Sequence, residues 1–214
     1  MKCWYDSVCK EASDNCDVDC IRYKEMRYLV DNSGIPINKQ IPEKLYPGDD
    51  YDAFCRLNEV KLDILSFVNS GSNIYITSGN TGNGKTSWAI KLLLKFFDEV
   101  WAGNGFRTRG LFVYVPQLLL KLKDFNNPLS DDYKQNLLNC DVVVWDDIGS
   151  TELSNYDLSQ LLLYIDQRTM AGKANIYTGN LNTKDRLAKV LGERLVSRVW
   201  NSSEVVQFTG KDRR

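Results

Sequence analysis

The feature that most constrains this chain is an eight-residue segment, residues 79–86, with the sequence Gly-Asn-Thr-Gly-Asn-Gly-Lys-Thr. It fits the phosphate-binding pattern G-x-x-x-x-G-K-[ST]. A short apolar run, residues 74–77, precedes it, and an amphipathic stretch, residues 85–98, follows it. This order predicts a buried strand, a phosphate-binding loop (P-loop) and a helix, which together indicate an α/β fold.

The residue types of this segment suit a nucleoside triphosphate and Mg²⁺. Glycines let backbone N–H groups approach phosphates closely, and the following helix begins with free N–H donors and partial positive charge. Lys85 offers a point charge to the β- and γ-phosphates, and Thr86 offers a hydroxyl to Mg²⁺. We predict that the nucleotide is held by Gly79, Gly82, Asn83, Gly84, Lys85, Thr86, Ser87 and Asp146.

Beyond residue 51 the pattern is one of continuous apolar strands alternating with helices. Such strands are typical of a parallel sheet covered on both faces. The pattern predicts five strands, at residues 74–77, 111–115, 141–145, 175–178 and 204–208. It predicts helices at residues 57–68, 85–98, 118–122 and 156–169, with two short helical stretches before the last strand.

The chain before residue 51 has a different character. Residues 1–33 hold four of the six cysteines, and residues 34–50 carry the Pro and Gly turn signals of a linker, so the main domain is predicted at residues 51–214. The first residues lack the apolar core of a signal peptide, and no apolar run approaches the roughly 18 residues of a membrane span. We therefore expect a cytoplasmic protein with reduced thiols and no membrane contact.

Two acids follow the apolar residues 142–145. Asp146 is placed to hold Mg²⁺ from the end of a strand neighbouring the P-loop strand, and Asp147 to orient or deprotonate the attacking water. Taken alone, the pair also fits a strand followed by an Asp-rich turn. Asn180 follows the next strand and could contact the γ-phosphate or the water, although Gly-Asn after a strand is commonly just a turn.

Arg194 and Arg198 lie four residues apart on a predicted helix face. Arginine is the usual group supplied in trans during phosphoryl transfer, because its planar fork matches phosphate oxygens. The alternative is a solvated helix in which Glu193 pairs with its neighbours.

The chain resembles the AAA+ ATPases over about residues 50–214. Four segments carry the resemblance, in the order GNTGNGKT, VVVWDDIG, TGNL and LGERLVSRV. The closer resemblance is to DnaC/DnaI-type helicase loaders and the related IstB-type transposition helpers. It implies a P-loop AAA+ core with a five-stranded parallel sheet flanked by helices, behind a small Cys-rich segment. By resemblance, Lys85 and Thr86 are Walker A, Asp146 and Asp147 Walker B, Asn180 sensor 1, and Arg198 the arginine finger of a neighbouring subunit.

The same resemblance implies ATP as the nucleotide, self-association through shared ATP sites, single-stranded DNA and a hexameric DnaB-type helicase as partners. Two departures are visible. Asp147 stands where many AAA+ proteins have the longer Glu, so slow hydrolysis is expected. The sequence after Phe208 is too short for a full C-terminal helical lid, which leaves Arg213 as a weak sensor-2 candidate.

Cys3, Cys9, Cys16 and Cys20 form a C-x₅-C…C-x₃-C pattern. Four thiolates can close a tetrahedral Zn²⁺ site, and the zinc-containing N-terminal domain of DnaI-type loaders supports that prediction by resemblance. The spacing is not that of a standard zinc finger, and four free thiols are the alternative. Cys55 and Cys140 are expected to be buried small hydrophobic residues.

The whole chain has a formal charge of -1, so a nucleic-acid contact must be local. Residues 184–214 hold eight Lys/Arg against four Asp/Glu and could follow a DNA backbone. Arg168, at the end of the helix at residues 156–169, is a second candidate and is expected to be exposed.

These features predict an ATP-dependent loader of a hexameric replicative helicase onto single-stranded DNA, with ATP switching assembly and release. An IstB-like ATPase that regulates transposition on duplex DNA is the first alternative. A small-molecule P-loop kinase is the second, and the paired acids and the Arg198 finger disfavour it.

Overall fold

A single five-stranded parallel sheet organises the computed structural model, which describes residues 3–124, 126 and 128–211. The strand order is β2-β3-β4-β1-β5, and all four neighbouring pairs are parallel. The predicted α/β fold with five parallel strands is confirmed. The strands are β1 (Asn73–Ser78), β2 (Gly110–Tyr114), β3 (Val142–Asp146), β4 (Ala174–Gly179) and β5 (Glu204–Phe208).

Eight α-helices accompany the sheet in the described part of the chain. They are α1 (Ile21–Asp31), α2 (Tyr51–Leu62), α3 (Ile64–Asn69), α4 (Lys85–Val100), α5 (Val115–Lys123), α6 (Asp131–Asn139), α7 (Asn155–Met170) and α8 (Lys184–Val196). A 3₁₀ turn (Ile37–Lys39) lies between α1 and α2, and a π-helix (Ser197–Asn201) follows α8.

Both faces of the sheet are covered by apolar helix faces. On one face, α4 buries Leu92 and Phe96 in the same core as Ile76 of β1. On the other, α7 buries Leu161 and Ile165 in a second core. Covering both faces explains why the strands read as continuous apolar runs, and why their predicted positions lie within one residue of the observed ones.

The Cys-rich segment shares the first core. Tyr5, Met26 and Leu29 are buried in the cluster that contains the apolar face of α4. An ion pair between Arg22 of α1 and Asp98 of α4 adds to this contact. The segment therefore packs on the sheet domain through both apolar and ionic contacts.

The structure differs from the sequence expectations in three helical regions, the first being α1, which was not predicted within the Cys-rich segment. The single helix expected at residues 57–68 is two helices, because Asp63 leaves the helical conformation at φ -115° and ψ 41°. Helix α6 was not predicted; Ser130 caps it by accepting a hydrogen bond from the Tyr133 backbone N–H.

Arg168 is fully buried, and its predicted exposure is therefore wrong. Its guanidinium donates to the carbonyl oxygens of Cys140 at 2.9 Å and Ala174 at 2.7 Å, and to Asn175 Oδ1 at 2.9 Å. These acceptors lie below the end of α7 and draw the side chain inward. Arg168 therefore joins α7 to the sheet and is not available to DNA.

Candidate functional site

The loop between β1 and α4 has the backbone of a phosphate cradle. Gly82 and Gly84 take positive φ angles of 74° and 91°, a region that strains residues with a Cβ. Gly84 is also the N-cap of α4, a 16-residue helix. The first N–H groups of α4 and its helix dipole therefore face this loop, as a bound phosphate requires.

Two polar side chains hold the interior of the loop. Lys85 Nζ donates to the Asn80 carbonyl at 2.9 Å and to Asn83 Oδ1 at 3.0 Å. Asn83 is buried, and its Nδ2 donates to Ser78 Oγ at 2.6 Å. The Lys85 ammonium is thus directed into the loop, where phosphate oxygens can replace its present acceptors, while the Asn83 side chain shapes the loop.

Asp146 occupies the centre of the predicted magnesium site. Its Oδ1 accepts hydrogen bonds from Thr86 Oγ1 at 2.8 Å and from Thr178 Oγ1 at 2.7 Å. The structure therefore brings the two predicted Mg²⁺ ligands, Thr86 and Asp146, into direct contact. Burial raises the pKa of the Asp146 carboxyl above its ordinary value, and the two hydroxyl donors oppose that rise.

The expectation that Asp146 ends a strand neighbouring the P-loop strand is wrong. Strand β4 lies between β1 and β3. Thr178 of this intervening strand donates to Asp146 and so links the two sides of the site. Sequence reasoning gave Thr178 no role, although it begins the quoted TGNL segment, because its contribution depends on the strand order.

Asp147 and Asn180 meet beside Asp146. Asn180 Nδ2 donates to Asp147 Oδ1 at 3.3 Å, and the Asp147 backbone N–H donates to Thr178 Oγ1 at 2.9 Å. Asp147 adopts φ 62°, which is uncommon for a residue with a side chain and is typical of functional sites. The backbone thus directs consecutive carboxylates into one site, at the carboxyl ends of β3 and β4.

A cavity of about 450 Å³ lies beside the loop. Leu45, Tyr46, Phe54 and Trp88 contribute its apolar and aromatic wall, and Gly82, Asn83, Gly84 and Ser87 contribute the wall shared with the P-loop. Its size and lining suit an aromatic base attached to phosphates held in the loop. The predicted linker at residues 34–50 therefore supplies part of this cavity, which the sequence did not indicate.

A second bond network braces the P-loop from the end of β5. Asp50 is buried, and its Oδ1 accepts from the backbone N–H groups of Thr209 at 2.6 Å and Gly210 at 2.7 Å. The Gly210 carbonyl then accepts from Asn83 Nδ2 at 3.4 Å. A Cβ at Gly210 would approach Asp50 Oδ2 to 2.5 Å, so a larger residue there would displace the Asp50 carboxylate. Both residues were missed because their partners lie far away in sequence.

Arg194 and Arg198 do not share a regular helix face. Arg194 lies in the last turn of α8 and is exposed, whereas Arg198 lies in the π-helix and is half-buried. Arg198 Nε donates to Asp166 Oδ1 of α7 at 2.6 Å. Glu193, the partner expected in the alternative interpretation, forms no ion pair within the described ranges.

The four N-terminal cysteines line one small cavity of about 80 Å³. No group of three or more Cys, Asp or Glu side chains in the described part of the chain is arranged to hold a metal ion. Cys20 is exposed, and Cys16 Sγ accepts a hydrogen bond from the Ser13 backbone N–H at 3.3 Å. The predicted zinc site is therefore not supported: the donor type fits Zn²⁺, but the thiols do not converge. Of the other two cysteines, Cys140 is buried as expected and Cys55 only partly so.

Two further observations concern features outside the nucleotide site. No helix within the described residues is long and apolar enough to cross a membrane. Arg213, the weak sensor-2 candidate, lies outside the described residues.

The P-loop, the paired acids after β3 and the strand order define a P-loop ATPase domain of the AAA+ type. The sequence profile described as "IstB-like ATP binding protein" matches residues 50–214, and the chain belongs to that family. No curated protein sequence matches the chain.

Solved structures share the fold at low sequence identity. The DnaC helicase loader superposes with a TM-score of 0.65 at 21% identity, over 86% of this chain and 99% of that chain. DnaI gives a TM-score of 0.61 at 16% identity, over 89% and 93%. The replication initiator DnaA, bound to AMPPCP and single-stranded DNA, gives 0.57 at 13% identity, over 85% and 50%.

Thr178→Val tests the bridge between β3 and the P-loop. Valine keeps the shape of threonine but can neither donate to Asp146 nor accept from the Asp147 N–H. We expect Mg²⁺-dependent ATP affinity, measured by isothermal titration calorimetry, to fall about 10-fold, as for the loss of a hydrogen bond to a charged group. Affinity without Mg²⁺ should hardly change. Thr178→Ser keeps the hydroxyl and is the matched control; an equal loss in both variants would contradict the bridging role.

Proposed function

We propose that this chain is an ATP-dependent loader of a hexameric DnaB-type helicase onto single-stranded DNA. The observation that carries the proposal is the fold shared with the DnaC helicase loader along 99% of that chain. The nucleotide site supports it, because the P-loop, Asp146 and the Asp147–Asn180 pair provide groups for binding and for hydrolysis. ATP-controlled assembly onto the helicase, followed by release on hydrolysis, is the proposed cycle.

Each polar group of the site has a place in that cycle. Lys85 and the loop N–H groups bind the β- and γ-phosphates, and Thr86 and Asp146 hold Mg²⁺. Asp147, aligned by Asn180, orients the attacking water. Because the Asp147 side chain is short, it approaches the water less closely than a glutamate would, and slow hydrolysis suits a switch.

Helicase capture tests the proposal. The immobilised chain is mixed with the replicative helicase of the same host in the presence of ATP, and a hexamer should be retained. ADP should release it, and Lys85→Ala should retain little. Capture that is the same with ATP, with ADP and without nucleotide would contradict ATP-controlled assembly, and no capture under any condition would remove the loader role.

The Cys-rich segment is the proposed helicase contact, and point variants test it better than deletion. Deleting residues 1–33 would remove Tyr5, Met26 and Leu29 from the core. Ile21 is 68% exposed on α1 and can be changed to aspartate without disturbing packing. We expect Ile21→Asp to reduce capture, whereas Ile37→Asp, at a still more exposed apolar residue outside the segment, should not. Equal capture by the two variants would contradict docking through this surface.

Arg198 is the proposed finger for a neighbouring subunit. We expect Arg198→Ala to leave ATP binding intact and to remove hydrolysis by the assembled protein, typically by 10³-fold or more for this kind of arginine. Phosphate release and ATP affinity are the two measurements. Asp166→Asn loses only the carboxylate that pairs with Arg198, so it should keep hydrolysis. Loss with Arg194→Ala instead would transfer the role to Arg194.

The family match favours a second function, regulation of transposition on duplex DNA. Preference for duplex over single strands, together with ATP-dependent binding of a transposase, would establish it. The loader proposal expects the reverse preference and helicase capture, so the same two binding assays separate the two functions.

Zinc binding also stays a proposal: the four cysteines line one cavity, although their thiols do not converge there. A tetrahedral site requires these thiols to move together. Metal analysis of the purified protein should give one zinc per chain if it forms. Zinc-free protein with four titratable thiols in this segment would contradict it.

A further inference from the structure

Another cavity, of about 660 Å³, opens at the end of the sheet opposite the ATP site. It lies at the amino ends of β2, β3 and β4, whereas the P-loop and Asp146 lie at the carboxyl ends of their strands. Its charged and aromatic lining residues are Tyr28, Phe106, Arg107, Arg109, Asp141 and Lys173. The proposed ATPase function makes no use of this cavity.

The lining carries excess positive charge. Asp141 is its single acid, and it accepts from both Arg109 and Lys173. Arg107 is exposed and pairs with no carboxylate in the described ranges; its Nε donates to the Asn104 carbonyl at 3.2 Å. That bond orients the Arg107 side chain at the cavity rim and leaves its terminal nitrogens available to an anion.

An aromatic ring is presented beside these cations. Phe106 is 53% exposed and adopts φ 55°, an uncommon conformation for a bulky residue. Gly103 and Gly105, at φ 69° and 63°, carry the loop around it. Tyr28 of α1 contacts the Phe106 ring with centroids 5.4 Å apart and planes at 74°. The ring is thus held outward by defined neighbours, although burying it would be favourable.

We propose that this surface binds single-stranded nucleic acid. Phosphates would lie against Arg107 and Lys173, and one base would stack on Phe106. Exposed aromatic rings among cations are the general means of holding single strands without sequence preference. The exposed Asn136 and Asn139 amides at the rim add donors and acceptors for base edges. An acidic peptide would use the same cations but not the ring, and therefore explains fewer of the lining residues.

The inference goes beyond the proposed function, since it places single-stranded nucleic acid at the amino ends of the β-strands, away from the nucleotide site at their carboxyl ends. It does not depend on whether the chain loads a helicase or regulates transposition. It also differs from the basic region at residues 184–211 as a place for DNA.

Fluorescence anisotropy with a labelled oligothymidylate of about 20 nucleotides tests the proposal on the full chain. We expect Phe106→Ala and Arg107→Gln each to weaken binding about 10-fold, as loss of one stacked base or one phosphate contact does. Arg107→Gln should also reduce the slope of log affinity against log salt by about one, whereas Phe106→Ala should leave that slope unchanged.

Leu62→Ala and Arg56→Gln are the matched controls. They make similar changes on α2, which packs beside β5 at the other side of the sheet, and both side chains are exposed. The controls should bind the oligonucleotide like the unaltered chain, and all four variants should keep its ATP affinity.

Several results would overturn the proposal. Wild-type affinity in Phe106→Ala and Arg107→Gln would do so, as would an unaltered chain that binds no oligonucleotide. Variants that keep DNA binding but lose capture of an acidic protein partner would replace it with the peptide interpretation. Loss of oligonucleotide binding in the two variants, in a chain that captures no helicase, would support this site and contradict only the loader function.

Discussion

Replacing Lys85 with alanine is expected to weaken ATP binding about 100-fold. The Lys85 ammonium is directed into the loop by the Asn80 carbonyl and Asn83 Oδ1, so it is already positioned for the β- and γ-phosphates. Losing a charge-assisted contact to phosphate removes about 3 kcal/mol, which corresponds to about two orders of magnitude in affinity. Titration with a fluorescent ATP analogue measures the change.

Lys189→Ala is the matched control, because Lys189 is an exposed lysine on α8 with no described bond. It should bind ATP like the unaltered chain. Lys85 is buried and donates two hydrogen bonds that alanine cannot make, so circular dichroism of Lys85→Ala must accompany the titration to separate a binding defect from unfolding. Retained ATP affinity in a folded Lys85→Ala protein would refute the assignment of the loop.

The local parts of the site could be predicted from the sequence, because each lies within one motif. The P-loop glycines, Lys85 and Thr86 are consecutive, and Asp146 and Asp147 directly follow an apolar strand. The structure brings Thr86 to Asp146 and Asn180 to Asp147. Their roles in binding and hydrolysis stay predictions.

The long-range parts could not be predicted. Thr178 matters only because β4 lies between β1 and β3, and a sequence pattern does not give strand order. Asp50 and Gly210 are 160 residues apart and meet through one hydrogen bond. The cavity beside the P-loop and the cavity at the amino ends of the strands likewise depend on which loops come together. Their lining residues are therefore not visible in any single segment of the sequence.

Arg168 shows the same limit more sharply. An arginine in the last turn of a helix is ordinarily solvated and favoured by the helix dipole, so exposure was the natural prediction. The structure instead surrounds it with acceptors from α6 and β4, including Leu137 O at 2.9 Å and Ala174 O at 2.7 Å. Because α6 was not predicted, its two acceptors, the Leu137 and Leu138 carbonyls, could not be anticipated.

Arg168→Met is expected to destabilise the fold by about 3–5 kcal/mol. Methionine fills much of the volume but leaves buried oxygens of Leu137, Cys140 and Ala174 without their donor, at about 1–3 kcal/mol each. The gain from no longer burying a charge offsets part of that loss. For a chain of this size the melting temperature should fall by about 10 °C, measured by circular dichroism. Arg194→Met, at an exposed arginine, should leave it unchanged.

A second variant separates the charge of Arg168 from its shape. Arg168→Lys keeps the charge, yet its single ammonium cannot reach the acceptors on both α6 and β4. We therefore expect this variant to lose most of the stability that Arg168 contributes. A lysine variant as stable as the unaltered chain would show that charge alone suffices.

The two cavities should also respond differently to the loss of Arg168. Arg168 donates a hydrogen bond to the carbonyl oxygen of Cys140, which lines the cavity at the amino ends of the strands. The P-loop lies at the carboxyl ends. Below its melting temperature, Arg168→Met should therefore keep ATP affinity and lose part of its affinity for single-stranded DNA.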